Sequence, residues 1–103
     1  MTGPIRFRSP KAAGTEDVTT TASTLITLGT TIENGIGRLT IQNIDAAKDI
    51  TIQWNAAPTA GVGHVLRPYE VMIFEWERTD IIKLQFITSA GTAKMQVWQE
   101  GMM

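Results

Sequence analysis

His64 is the only histidine in the 103 residues, and the chain has no cysteine. A catalytic base or a metal ligand needs partners at defined spacing, and His64, between Gly63 and Val65, has none in its neighbourhood of the sequence. It reads as a histidine of a surface loop. Glu75 and Glu77 stand two apart, so a strand would place both carboxylates on one side. Such a pair can act as acid and base when its surroundings split the two pKa values. Here the pair closes an apolar run beside Arg78, which suits a solvated strand end. Asp45 and Asp49 flank a turn but lack the dense acidic alternation of a calcium loop. Gly35-Ile36-Gly37 and Gly61-Val62-Gly63 precede no helix and lack a Gly-Lys-Ser or Gly-Lys-Thr ending, so neither reads as a phosphate loop. With no nucleophile–base pair and no metal set, the chain is not expected to be an enzyme or to hold a cofactor.

What remains is binding chemistry. Arg6, Arg8 and Lys11 give the first fourteen residues a charge of +3, which leaves −4 for the remainder against the net −1. Three cations without interleaved aromatics make a weak nucleic-acid footprint. An acidic protein surface accounts for them equally well. Trp54, Trp76 and Trp98 could stack on carbohydrate, but Trp54 and Trp76 fall in an inward register and are expected in the core.

The bulk composition sets limits on these readings. A chain of this length holds one domain. With 43% hydrophobic and 18% charged residues it is apolar enough to fold. Without cysteine there is no disulfide, thiolate nucleophile or cysteine-based zinc site. The opening MTGPIRFRSP has no apolar run behind its charges, so no signal peptide is expected. No stretch approaches the roughly 20 apolar residues of a membrane span. The expectation is a soluble protein made without export.

The elements that must position these residues are strands. Leu39 and Ile41 alternate with Thr40 and Gln42, and Ile50, Ile52 and Trp54 with Thr51, Gln53 and Asn55. The same period of two runs through Ile82, Leu84 and Phe86, and through Met95 and Val97. Turn chemistry separates the runs at Asn34-Gly35, residues 45–49, Arg78-Thr79-Asp80 and Ser89-Ala90-Gly91. The longest gap, residues 55–63, contains Pro58, Gly61 and Gly63 and reads as a true loop. No segment has the length and pattern of an amphipathic helix. The expected fold is all-β: an antiparallel β-sandwich or barrel of about 7–8 short strands. Residues 18–103 would form it, preceded by an extended N-terminal arm over residues 1–17. In that arm Ile5 and Phe7 alternate with Arg6 and Arg8, so a short strand is possible, as is a frayed terminus. Ile52, Trp54, Phe74, Trp76, Leu84, Phe86 and Val97 are the expected core.

Not every apolar residue fits one core face. Val71 and Ile73 lie opposite Met72, Phe74 and Trp76. Ile81 and Ile87 lie opposite Ile82, Leu84 and Phe86, and Trp98 opposite Met95 and Val97. A small domain has one core, so this second face needs a cover: loops, the arm or another subunit. The candidate interface is therefore Arg6, Arg8 and Lys11 with Val71, Ile73, Ile81 and Ile87. A closed cyclic homo-oligomer would bury the apolar part without open filaments.

The second half of the chain resembles a recurrent type of small bacteriophage virion protein. The residues that carry this are LTIQN at 39–43, DITIQWN at 49–55, the loop through Pro58 and Gly61, LRPYE at 66–70 and FITSAGTA at 86–93 leading to Val97. The pattern covers residues 38–100. Tyr69 stands where a glycine is common, so this turn is expected to be built differently. The resemblance implies a β-sandwich head-decoration (cement) protein, or a module of a tail, adaptor or fibre. It implies no active site. It also implies the major capsid protein or another virion protein as partner, a trimer as the preferred oligomer, no membrane, and a place in the virion assembled in the host cytoplasm. A receptor- or glycan-binding module is the alternative from another class, and it would show exposed aromatic platforms.

Overall fold

The computed structural model describes the backbone of residues 9–101 and the side chains of residues 12–101. These residues form an all-β sandwich of two four-stranded antiparallel sheets. In chain order the elements are β1 (Ser9–Val18), β2 (Ser23–Thr24), α1 (Leu25–Leu28), β3 (Ile36–Asn43), β4 (Ile50–Trp54), β5 (His64–Leu66), β6 (Val71–Phe74), α2 (Arg78–Ile81), β7 (Leu84–Thr88) and β8 (Ala93–Gly101). The first sheet has the order β1-β8-β3-β6 and the second β2-β7-β4-β5. Both helices are single turns. None of the described helices is long and apolar enough to cross a membrane.

The alternation works as strand physics requires. Leu39 and Ile41 of β3, Met95 and Val97 of β8, Ile50 and Ile52 of β4, and Leu84 and Phe86 of β7 all point inward and are buried. Val18, Leu25, Ile32, Ile36 and Leu66 complete the same core from turns and strand ends. The polar residues buried with them are satisfied. Gln99 donates to the Thr31 carbonyl and accepts from the Glu33 N–H, both at 2.8 Å, which holds the segment between α1 and β3 against β8.

The expected arm is corrected over half its length. Ser9–Val18 is an edge strand paired residue by residue with β8, from Ser9 opposite Gly101 to Val18 opposite Ala93. Its register shifts between Pro10 and Ala12, which makes Lys11 the extra residue of a bulge. The strand escapes a hydrophobic reading because Gly14 and Glu16 take its middle positions opposite Val97 and Met95, and among its described residues it is the last, Val18, that joins the core. Residues 1–8, with Arg6 and Arg8, lie outside the described residues.

Three expected core residues are also placed differently. Ile52, Leu84, Phe86 and Val97 are buried, but Phe74 and Trp76 are half-buried and Trp54 is 45% exposed. Trp54 ends β4 beyond Ile52, and Ile52 is already paired with His64, the first residue of β5. No strand therefore flanks Trp54 on that side, and the chain turns away at Asn55 with φ 58°.

Candidate binding surfaces

The two sheets do not close along the side where β5 and β6 are the edge strands. Between them lies an apolar cleft of ≈ 350 Å³. Ile52 and Leu84 form its floor; Trp54, Met72, Phe74 and Trp76 form its walls; His64 sits at its rim. The Phe74 and Trp76 rings meet in a tilted contact, with 4.8 Å between centroids and 54° between planes. Trp54 is fixed at its polar end, where Nε1 donates to the Asp80 carbonyl at 3.2 Å. The Lys83 ammonium lies 5.4 Å from the same ring, within cation–π range. Trp54 is thus held in place by contacts outside the cleft.

A second surface lies on the outer face of the first sheet. Thr40 of β3 is paired with Ile73 of β6 on one side and with Trp98 of β8 on the other. Ile73 and Trp98 are 46% and 37% exposed, and Val71 is 51% exposed one step along β6. Val71 and Ile73 on β6 and Trp98 on β8 thus flank Thr40 on the outer face of three neighbouring strands.

The candidate interface residues separate on the structure. Val71 and Ile73 are exposed as expected. Ile81 is fully buried, because α2 interrupts the strand alternation and turns that side chain into the core. Ile87 is half-buried on the outer face of the second sheet, away from Val71 and Ile73. It is paired with Thr51, whose Oγ1 accepts from the Gly61 N–H at 2.8 Å, so the long loop is fastened over this face. One continuous patch of Val71, Ile73, Ile81 and Ile87 therefore does not exist. Lys11 lies on β1, and Arg6 and Arg8 are outside the described residues.

The titratable candidates are dispersed. His64 is exposed and opens β5. Glu75 and Glu77 are exposed, and Glu77 is the residue before α2. Asp45 closes its own turn by accepting the N–H groups of Ala47 at 2.9 Å and Lys48 at 2.7 Å. The Ala47 N–H and then the Lys48 N–H hold its carboxyl below the ordinary value of 3.8, with partial burial opposing them and the Lys48 charge adding to them. Among the described residues no three of His, Asp or Glu are grouped to hold a metal ion.

Tyr69 departs from the expected turn in an informative way. It has φ 65°, so this turn places a tyrosine in the left-handed region that favours glycine. Its N–H donates to the Asn43 carbonyl at 2.6 Å, and its carbonyl accepts from Gln42 Nε2 at 3.0 Å. The turn keeps the conformation a glycine would take and carries an exposed ring in addition.

No family model, curated protein or solved structure matches the chain.

Proposed function

We propose that this chain is a structural subunit of a bacteriophage particle, with capsid decoration as the first reading and a tail, adaptor or fibre position as the second. The observation that carries the proposal is the set of exposed Val71, Ile73 and Trp98 on the outer face of a sheet whose inner face is buried in the core. Exposed apolar area on a firm support is what a protein needs to adhere to another protein surface. Many copies on one shell would sum modest contacts into large stabilisation. The resemblance through residues 38–100 adds support.

Immunogold labelling of phage particles, with antibodies against the purified chain, tests this reading. Label spread over the head in many copies is the expected result. Label confined to the tail or neck selects the second reading. Particles without label, from cells shown to make the chain, overturn both.

A further inference from the structure

The cleft between β5 and β6 is apolar, aromatic and open, and among the described residues no strand pairs with the outer edge of β6. An edge strand above an apolar cleft accepts an extended segment with alternating side chains, one set entering the cleft and the other facing water. Residues 5–8 have that pattern: Ile5 and Phe7 alternate with Arg6 and Arg8. Their charge also fits, because Glu70 precedes β6 while Glu75 and Glu77 follow it. These residues cannot reach the cleft of their own copy. Ser9 is paired with the last residue of β8, and β1 is three strand spacings from β6, roughly 14 Å at the usual separation. A strand added outside β6 lies one spacing further, roughly 19 Å from β1, whereas Ile5, four residues from Ser9, reaches about 14 Å when fully extended and Phe7 about 7 Å.

We propose that residues 5–8 of one copy add as a strand to the outer edge of β6 in a second copy, with Ile5 and Phe7 entering the cleft beside Trp54, Phe74 and Trp76. Each copy then both gives and receives. Such a head-to-tail contact closes into a ring when the rotation permits. The inference concerns self-association and stands apart from the virion reading, which the labelling experiment tests independently.

The test is light scattering on the full-length chain and on two variants. Phe7→Glu spoils the donated segment at a position that precedes β1. Trp54→Arg spoils the cleft at a half-exposed position. The wild type is expected to run as an oligomer, roughly threefold the mass of one chain for a ring of three. Each variant alone is expected to run as a monomer with a cooperative thermal transition. Their equimolar mixture should give a dimer, since each variant keeps the half that the other has lost. Wild-type protein that is monomeric at micromolar concentration overturns the proposal, as does a Phe7→Glu variant that keeps the wild-type mass. A monomer whose Trp54 fluorescence responds to an oligosaccharide series would overturn it in favour of a sugar in the cleft.

Discussion

The side-chain amide of Asn43 donates to the carbonyl oxygen of Leu66 across 2.9 Å. Asn43 ends β3 in the first sheet and Leu66 ends β5 in the second, so this bond ties the sheets together at one end of the sandwich. The same amide donates to the Lys48 carbonyl at 2.7 Å, and Oδ1 accepts from the Asp45 N–H at 2.9 Å. Asn43→Ala leaves these backbone groups without their partner in a buried site. We expect a loss of roughly 2–4 kcal/mol in urea unfolding. A loss within about 0.5 kcal/mol, as for a surface site, would show that the bonds are dispensable.

Aromatic truncations should rank by burial. Phe86 is fully buried, Trp76 half-buried and Trp54 the most exposed of the three. Phe86→Ala is expected to cost roughly 3–5 kcal/mol, Trp76→Ala about 2 and Trp54→Ala about 1. Unfolding midpoints of the three variants give the order directly. A Trp54 cost equal to that of Phe86 would place Trp54 in the core after all.

The turn at Asp45 makes stability depend on pH. The carboxyl is held below 3.8 in the folded chain, so its contribution is fully present above the unfolded value and is lost as pH falls through the folded one. Asp45→Asn can still accept both N–H bonds but carries no charge. The difference in unfolding midpoint between the two proteins should be constant from neutrality to about pH 4 and should shrink below that. A difference that does not change with pH would remove Asp45 as the cause.

Tyr69 at φ 65° carries a backbone cost that glycine would not. Tyr69→Gly is expected to raise stability by about 0.5–1 kcal/mol, because relief of the left-handed strain outweighs the greater freedom of the unfolded glycine. Thermal melting decides the sign. A clear loss would mean that the exposed ring makes contacts worth more than the strain.

Two truncations separate the strand from the segment before it. Removing residues 1–8 should give a melting temperature close to that of the monomeric Phe7→Glu variant, since the strands of the sandwich begin at Ser9. Removing residues 1–17 takes away most of β1 and uncovers the whole ladder edge of β8, so the domain should melt far lower or fail to fold. Equal melting temperatures for the two truncated proteins would show that β1 is dispensable.

Much of this architecture was legible in the sequence where alternating side chains do the work. The core positions of β3, β4, β7 and β8 follow directly from a period of two. The misses have physical causes. β1 has Gly14 and Glu16 at its middle inward positions and reaches the core with Val18 at its end, so hydropathy shows no alternation along it. Ile81 takes the inward side and not the outer side its spacing implies, because one helical turn resets the register. Trp54 keeps its register and still escapes burial, since its exposure depends on where the neighbouring strand stops. The anchoring role of Asn43 depends on Leu66, a partner more than twenty residues away. Of the candidate interface, Val71 and Ile73 could be read from alternation, whereas the loop over Ile87 is visible only in three dimensions.

The pairing of Ser9 with Gly101 also sets how the domain responds to force. The bonds of an antiparallel ladder run perpendicular to the strands. A pull that separates residues 9 and 101 therefore opens the β1–β8 ladder one bond at a time, as a zipper, and never loads all of it at once. Tension entering through this pair should peel the edge strand at low force while the remaining strands stay folded. Stretching single molecules between these two points should show a small early extension ahead of the main rupture.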